Sequence, residues 1–447
     1  MQTPIEPVKR QSSEPASRAE VASWMFFDFA NSSYTTLIIS VAFAPYFVRT
    51  VVVGDGGSEE DGTFLWGLSY GVSQAIVLGS APVMGALADA FGAKKKLLFG
   101  SFVGCVGATA ALGWVGAGDV VLAMVLLVFS NVCFSAGENL IGSFLPEIST
   151  PEKMGFISGL GWALGYVGGL GCLLACRPLL VDGFGPSNAE AIQSSFVIVA
   201  LFFLVGGMPT FIFLKERLTA RSTPRFGRVV TLGFSRVVRT MGRWRDHRQL
   251  FRFYAVFLCY NSGISIVITF TSIFANGELA MTGGEIVAFF MVVQVSAALG
   301  ALAFGVLQDR TGTRLALTLS LAIWLAACLG AATTRTVGQF YLVGNFAGLA
   351  MGSAQSCARA LIGMFSPPSR SGEFFGFWGL VWKLSAAIGP LSFGWTSREL
   401  GMRGAIALTG LFFLVGILGV ACIDVEAGRR EGEVAEALAN DDSEEWG

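Results

Sequence analysis

The sequence predicts an all-α integral membrane protein in which twelve transmembrane helices form two six-helix bundles. Three observations lead to this prediction: an apolar composition, twelve apolar stretches of membrane-spanning length, and an internal repeat. Of the 447 residues, 53% are hydrophobic and only 14% are Asp, Glu, Lys or Arg, whereas soluble proteins carry about 25% charged residues. So little polar surface excludes a soluble enzyme and a disordered chain.

The apolar stretches follow one another along nearly the whole chain, and each is long enough to cross a bilayer core of about 30 Å. They lie near 22–47, 64–88, 97–117, 120–145, 156–176, 193–214, 250–274, 285–308, 315–334, 338–365, 374–397 and 404–423. Basic residues concentrate in the loops after the second and eighth spans and in residues 215–249, which hold ten Lys or Arg. The positive-inside rule therefore predicts that both termini are cytoplasmic. The compact chain shows no targeting extension, and we expect the cell (inner) membrane.

The predicted organisation has five parts. They are a disordered cytoplasmic N-tail (1–21), an N-terminal six-helix bundle (22–214), a basic cytoplasmic linker (215–249), a C-terminal six-helix bundle (250–424) and a disordered acidic C-tail (425–447). Both tails are polar, which favours disorder. In the linker, apolar residues recur at helical spacing: Val230, Phe234, Val237, Met241 and Trp244. This spacing predicts an amphipathic helix on the membrane surface, and a solvated basic linker is the alternative.

The two halves of the chain repeat each other in parallel orientation. A shift of 220 residues places the second span on the eighth, so that Gln74 meets Gln294 and Asp89 meets Asp309. The fifth span matches the eleventh at the same shift, the fourth matches the tenth at 221, and the first matches the seventh at 230. Parallel repeats of this kind are typical of transporters whose halves move around a site near the bilayer midplane.

The loops after the second and eighth spans share one motif. GALADAFGAKKK (85–96) and GVLQDRTGTR (305–314) both read G-x-x-x-D-x-x-G-x-[KR]. Glycine permits tight turns and close helix approach, and the aspartate can cap the next helix or pair with a base on a neighbouring span. The predicted gating residues are Gly85, Asp89, Gly92 and Lys94 in one loop and Gly305, Asp309, Gly312 and Arg314 in the other. The motif resembles the signature loop of the major facilitator superfamily, which implies a central cavity lined by the first, fourth, seventh and tenth spans.

Longer runs narrow the resemblance within this superfamily. SWMFFDFANSSYTT (23–36), FLPEI (144–148), SGLGWALGYVGG (158–169), SAQSCARALIGMF (353–365) and EFFGFWGLVWKLSAAIGPLSFG (373–394) are similar to the Atg22/UMF1-like branch. The resemblance implies a transporter, and vacuolar members of the branch are associated with amino-acid efflux. The residues that match the branch pattern are Asp28, Asn31, Arg359 and Glu373.

Ionisable residues inside the predicted spans are candidate functional groups, because a charge facing lipid costs several kcal/mol. Asp28, Glu138, Arg359 and Lys383 are the charged members of this set. The full set of candidate substrate or coupling residues is Asp28, Asn31, Tyr34, Glu138, Asn261, Gln355, Arg359 and Lys383. Glu147 and Glu373 are candidates for contacts between the two bundles or for a gate.

Glu138 and Arg359 occupy equivalent places in the two halves, each roughly 12 Å from the cytoplasmic end of its span. Three interpretations stay open. The two residues could hold the ammonium and carboxylate of a zwitterion, or form an ion pair between the bundles that closes a gate, or pair locally within their own bundles. Arg suits a carboxylate because its planar fork binds both oxygens. Buried acids also make proton coupling a hypothesis.

The remaining function classes follow from what the sequence contains. No G-x-x-x-x-G-K-[ST] run is present, which argues against direct use of ATP. His247 is the single histidine and the spans hold no acidic cluster, so we expect no enzyme, no metal and no cofactor. The net charge of −1 gives no indication of a nucleic-acid partner.

The predicted function is alternating-access secondary transport of a small organic solute, with amino acids as first choice and protons as a candidate coupling ion. One alternative is transport of drugs, sugars, peptides or organic anions on the same fold. Another is a membrane receptor or scaffold that binds a solute without moving it. The expected partners are the lipid bilayer and the solute, and the expected state is a monomer.

Overall fold

The computed structural model describes residues 9–10, 16–181, 183–219 and 237–444. Within them the chain is almost entirely helical. The long helices are Arg18–Ser33, Glu59–Phe91, Lys94–Ala111, Val120–Gly142, Met154–Leu180, Ala189–Phe213, Arg248–Leu279, Gly283–Thr311, Thr313–Thr333, Val337–Phe365, Ser371–Ala421 and Val425–Glu444. The first of these continues to Asp55 through π-helical stretches at Tyr34–Val41 and Phe47–Val52.

These helices give the predicted twelve spans, numbered here from first to twelfth. Ten described segments are long and apolar enough to cross a membrane by length and composition, and one of them, Pro368–Ala421, has 54 residues. That segment contains the eleventh and twelfth spans, because the backbone breaks its helix at Gly401, where φ is 68°. The tenth span, Val337–Phe365, is not among the ten, since polar residues such as Gln355 and Arg359 interrupt its apolar face.

Each half of the chain has its own hydrophobic core. In the first half, the rings of Phe27, Phe102 and Phe203 pack with centroids 5.1–6.1 Å apart. In the second half, Trp324 stacks on Phe413 with 5.2 Å between ring centroids. Aromatic rings bury large apolar areas, so each set of six spans is stabilised as a bundle. The fold is therefore an all-α membrane fold of two six-helix bundles.

The two bundles meet closely at the end that carries the described parts of both tails. This end, called the basic end below, includes the loops at 92–93 and 366–370 and the residues around 214–219. Here the second span packs against the eleventh, and the fifth against the eighth. At the other end the bundles diverge around a cavity.

The prediction that both tails are disordered is wrong for the described parts. Val425–Glu444 is a helix, and Ser17 caps the first span, with the Glu20 backbone N–H donating to Ser17 Oγ at 3.2 Å. The C-terminal helix is polar, yet its glutamates accept hydrogen bonds from the backbone of the bundle. Glu431 accepts from Gln249 N at 2.9 Å, and Glu436 accepts from Ser369 N at 2.9 Å. Composition alone favoured disorder because it does not register such capping contacts.

The linker is described only in part. Residues 237–242 are helical, Val237 is buried, and Met241 and Trp244 are exposed. The rest of the predicted amphipathic helix, residues 220–236, lies outside the described residues. Lys9–Arg10 forms a short antiparallel strand pair with Leu218–Thr219.

Candidate transport site

Arg359 of the tenth span lies at the centre of the molecule and joins the two bundles. Its Nη1 donates to Asp28 Oδ2 of the first span at 2.6 Å. Its Nε and Nη2 donate to the Ser158 hydroxyl at 3.2 Å and carbonyl at 2.9 Å, on the fifth span. The guanidinium also lies over the rings of Trp24 and Trp162, at 4.6 and 5.3 Å from their centroids. Arg359 thus forms a buried ion pair between the halves.

Glu138 of the fourth span is not the partner of Arg359. Its Oε1 accepts a hydrogen bond from Asn31 Nδ2 at 3.0 Å, within its own bundle. Glu138 and Lys383 line the same small cavity of about 40 Å³, together with Asp28 and Arg359. Two acids and two bases therefore surround this cavity, with no net formal charge.

The second bundle repeats the contact of Asn31 with different partners. Asn261, which is equivalent to Asn31 in the repeat, donates to Ser385 Oγ at 2.5 Å and accepts from Gln355 Nε2 at 3.2 Å. These residues link the seventh, tenth and eleventh spans. The predicted polar stripes thus stabilise each bundle internally, and Gln355 also lines the large cavity.

A cavity of about 1050 Å³ lies between the bundles. It extends from Trp162 and Trp382 near the centre to Val181, which is 70% exposed at the end opposite the basic end. Trp162 and Trp382 are equivalent in the repeat, and their rings stack with centroids 6.2 Å apart and planes 7° apart. The stacked pair also lines the small cavity, so it forms the floor that separates the two cavities. The structure is therefore open at one end and closed at the basic end.

The motif loop of the first half closes the basic end through buried charges. Asp89 accepts hydrogen bonds from the backbone N–H groups of Gly372, at 3.0 Å, and Glu373, at 2.7 Å, in the first turn of the eleventh span. Lys94 Nζ lies 3.1 Å from Asp89 Oδ1 and 2.8 Å from Glu147 Oε1, and it donates to Ser371 Oγ at 2.7 Å. Asp89 and Lys94 are completely buried. The loop thus caps a helix of the other bundle.

The motif loop of the second half repeats the cap. Asp309 accepts from the backbone N–H groups of Gly155, at 2.9 Å, and Phe156, at 2.8 Å, at the start of the fifth span. Arg314, the equivalent of Lys94, is exposed and donates to the Ala421 carbonyl at 2.6 Å. Gly92 and Gly312 end their helices with φ of 52° and 91°, as the motif predicts.

Glu373 and the linker complete the closed basic end. Glu373 is buried, accepts from Arg370 Nη2 at 2.9 Å, and accepts a short hydrogen bond from the Thr240 hydroxyl. Glu216 accepts from the backbone N–H of Lys94 at 2.7 Å, at the start of the third span. Burial raises the pKa of Glu216 above its ordinary value. These contacts connect the linker to both bundles.

The structure separates the predicted site residues into three groups. Asp28, Glu138, Arg359 and Lys383 converge on the small cavity, where Asn31 donates to Glu138, whereas Asn261 and Gln355 bond to each other inside the second bundle. Glu147 and Glu373 lie at the closed basic end, with the motif loops. Tyr34 belongs to neither place: it is fully buried inside the first bundle, where its hydroxyl lies 2.8 Å from Ser130 Oγ.

Sequence reasoning missed two partners of Arg359. Ser158 contributes two contacts and Trp24 contributes an aromatic face, and both lie in runs that also carry the family resemblance. The available signal was that resemblance, since neither residue stands out by charge. Among the described residues, no group of three His, Cys, Asp or Glu could hold a metal ion.

Several known proteins are similar to this chain in sequence. A family model described as "Vacuole effluxer Atg22 like" matches residues 65–156 and 150–433. The chain is 26% identical over 410 residues to the uncharacterized MFS-type transporter YxiO of Bacillus subtilis (strain 168), which covers 90% of this chain and 94% of that protein. It is 24% identical over 307 residues to autophagy-related protein 22 of Coccidioides immitis (strain RS), over 63% of this chain. The match covers 51% of the fungal protein, so the chain spans about half of that relative's length.

The fold is similar to that of the human organic anion transporter MFSD10 (TETRAN). The TM-score is 0.73 at 14% identity, and the match covers 91% of this chain and 100% of that one. This likeness shows the fold alone. Together with the family match, which covers most of the chain, it confirms the resemblance found in the sequence: the chain belongs to the Atg22-like family of the major facilitator superfamily and is a membrane transporter, not an enzyme.

Proposed function

We propose that this protein is a secondary active transporter of a small organic solute, with amino acids as the first candidate. The units 22–214 and 250–424 rock against each other, and the basic end faces the cytoplasm of the cell (inner) membrane. The conformation described above is then the outward-open one, since its cavity opens at the opposite end. The protein works as a monomer, because each chain has its own cavity between its two halves.

The observation that carries this proposal is the Asp28–Arg359 ion pair. It connects the first span of one bundle to the tenth span of the other, beneath the cavity floor. Of the three interpretations of Arg359, the contact between bundles is therefore the one that this arrangement supports. Opening of the basic end requires this pair to separate. The transport cycle must therefore break and re-form the Asp28–Arg359 ion pair.

The energetics of that separation support proton coupling. Breaking a buried ion pair by removing one partner typically costs about 3–5 kcal/mol, because a charge is left uncompensated. A proton on Asp28, or a charged solute beside Arg359, removes most of that cost. The groups that face Asp28 and Glu138 across the small cavity are Arg359 and Lys383, so protonation of one acid leaves a positive site that an anionic group of the solute can neutralise.

Flux in proteoliposomes tests the proposal. A labelled amino-acid mixture is supplied with and without an imposed pH gradient, to wild type, Arg359→Ala and Asp28→Asn. We expect saturable uptake in wild type that the gradient increases, and loss of uptake in Arg359→Ala. Asp28→Asn, which mimics a permanently protonated acid, is expected to retain exchange of solute but to lose its response to the gradient. Wild-type transport whose rate is independent of the pH gradient would rule out proton coupling.

The size of the cavity favours a second class of solute. About 1050 Å³ exceeds what a free amino acid needs, and lies at the upper end of the range for drug-sized ligands. Drug-sized organic solutes are therefore the second candidate. Their uptake in the same vesicles, with none for amino acids, would replace the first candidate and leave the transport mechanism in place.

A further inference from the structure

The short segment that precedes the seventh span exposes apolar side chains. Residues 237–242 are helical, and a 3-10 turn at Trp244–His247 joins them to the helix of the seventh span. Val238, Met241 and Trp244 are 66%, 56% and 45% exposed. All three lie before the apolar stretch of that span, and exposed apolar side chains that cluster in this way mark an interaction surface.

The basic side chains of the segment lie on another face. Because a helix turns by about 100° per residue, Val238 and Met241 fall about 60° apart on one side, and Arg239 and Arg243 fall about 40° apart on another. The centres of these two faces are roughly 150° apart, and both arginines are exposed. A division into an apolar and a basic face is typical of helices that lie in the interface of a membrane.

A third face attaches the segment to the second bundle. Val237 and Thr240 are buried. The Thr240 hydroxyl donates a short hydrogen bond to Glu373 Oε1 and accepts another from Arg370 Nη2, at the start of the eleventh span. The segment is therefore held in one orientation, and this orientation leaves its apolar and basic faces exposed.

The segment lies at the edge of the bilayer. Trp244 precedes the apolar stretch of the seventh span, 250–274, by six residues, which is roughly 10 Å along a helix. Tryptophan is enriched at this level of a membrane, where its ring lies among the lipid headgroups. Lipid is therefore the partner that the position of the apolar face favours.

The charge of the segment selects among lipids. Residues 237–247 hold three arginines and one acid, Asp246, which lies 3.0 Å from Arg243 Nε. Arg239 and Arg245 form no side-chain ion pair with a described residue. Guanidinium groups bind phosphate oxygens through paired, charge-assisted hydrogen bonds, and basic residues at a membrane surface are attracted to anionic headgroups.

We propose that residues 237–247 are a binding surface for anionic phospholipid at the basic end. Val238, Met241 and Trp244 enter the boundary between headgroups and acyl chains, and Arg239 and Arg245 bind headgroup phosphates. This site lies outside the transport cavity, and its assignment does not depend on which solute the protein moves.

Spin labels test where the two faces lie. Single cysteines replace Val238, Arg239, Met241 or Arg243 in a full chain without the eight native cysteines, which is reconstituted in phosphatidylglycerol bilayers. Collisions of each label with oxygen, which concentrates among acyl chains, and with a water-soluble nickel chelate are then measured. We expect the labels at 238 and 241 to favour oxygen and those at 239 and 243 to favour the chelate. Four labels with equal access to the chelate would show a solvated surface and overturn the proposal.

Lipid-induced thermal stabilisation tests the headgroup. The purified full chain in detergent, with its native cysteines, is titrated with phosphatidylglycerol, with phosphatidylcholine of the same acyl chains, or with glycerol 1-phosphate, which is the headgroup phosphate alone. We expect phosphatidylglycerol to stabilise the protein at the lowest concentration and glycerol 1-phosphate not to stabilise it. Equal stabilisation by the two lipids would overturn the selection for anionic headgroups, and equal stabilisation by glycerol 1-phosphate would indicate a site for free anions instead.

A matched pair of double variants locates the lipid site. Arg239→Gln with Arg245→Gln is expected to weaken stabilisation by phosphatidylglycerol about tenfold or more, because two basic residues leave the membrane surface. Lys96→Gln with Arg310→Gln removes the same charge from other exposed positions at the basic end and is expected to leave that stabilisation unchanged. Equal weakening in the two double variants would show a general attraction of the basic end to anionic lipid and overturn the assignment to residues 237–247.

Discussion

The two motif loops have the same sequence pattern but close the basic end in different ways. In both, an aspartate accepts two backbone hydrogen bonds from the first turn of a helix in the other bundle: Asp89 from the eleventh span and Asp309 from the fifth. In the first loop the basic residue Lys94 is buried between two carboxylates, whereas its equivalent Arg314 is exposed. The repeat therefore preserves the cap and not the ion pair.

This difference indicates how the closed end is stabilised. Capping a helix of the opposite bundle is a contact that rocking must break, and both loops contribute it. The buried cation adds a second contact on one side only, together with Glu147 and Ser371. We infer that the interface of the second and eleventh spans is the stronger of the two, and the four predictions below test that asymmetry.

The largest effect is expected from Lys94→Met. Removing the ammonium eliminates the cation that lies between two buried carboxylates, which typically costs about 3–5 kcal/mol. Thermal unfolding of the purified protein should show a clear decrease in Tm. Arg314→Met is the control, and we expect it to change stability by about 0.5 kcal/mol or less, as for most exposed substitutions. Equal decreases in the two variants would contradict the asymmetry.

Gly85→Ala is expected to be the next in size. A Cβ at Gly85 would lie 1.9 Å from the Gly372 carbonyl oxygen, whereas one at Gly305 would lie 2.8 Å from the Gly155 carbonyl oxygen. Because backbone atoms cannot rotate away, the second and eleventh spans must separate, at a cost of about 1–3 kcal/mol.

Distances between two spin labels, measured by double electron–electron resonance, report that separation. Labels at Lys96 and Arg310, both exposed at the basic end, report the spacing of the bundles in a variant without the eight native cysteines. We expect longer distances in Gly85→Ala than in Gly305→Ala. A larger opening in Gly305→Ala would place the stronger interface on the other side.

The helical fold was predictable because its determinants are local. Apolar length defines a span, and the repeat defines which spans are equivalent. The one segment that composition failed to mark as membrane-spanning, Val337–Phe365, carries Gln355 and Arg359. The sequence nevertheless predicted it as a span from its apolar stretch at 338–365, and the repeat, which places the fourth span on the tenth, agrees with that prediction. The places of Asp89 and Asp309, each at the end of a span, were predictable for the same reason.

Contacts between the halves were less predictable. The repeat places Glu138 and Arg359 at equivalent positions, but equivalence within two bundles does not set a distance between them. Arg359 instead pairs with Asp28, and the motif aspartates cap helices of the opposite bundle, not the next helix in sequence. These contacts depend on how far the bundles have rotated, and a sequence pattern contains no information about that rotation.

Asp309→Asn is expected to have a moderate effect. An amide can still accept one of the two backbone hydrogen bonds, so the loss should be near the 1 kcal/mol of an ordinary helix cap. In Asp89→Asn the same loss is joined by a weaker contact with Lys94, and charged hydrogen bonds contribute about 1.5–3 kcal/mol. Asp89→Asn should therefore lower Tm more than Asp309→Asn does. A double variant, Asp89→Asn with Lys94→Met, should cost less than the sum of its parts, because both changes remove one contact.

The smallest effect is expected at the C-terminal helix, which reinforces the same side. Glu436 accepts hydrogen bonds from Ser369 N and Oγ, just before the eleventh span. At the start of the fifth span, this helix contributes an exposed ion pair between Arg429 and Glu152, 3.9 Å apart. Glu436→Gln should cost about 1 kcal/mol and increase hydrogen exchange in residues 366–372. Glu433→Gln, which removes an exposed pair with Arg429, should leave that exchange unchanged. If exchange rises instead at residues 150–156, the helix stabilises the fifth span. The asymmetry between the two interfaces is then confined to the motif loops.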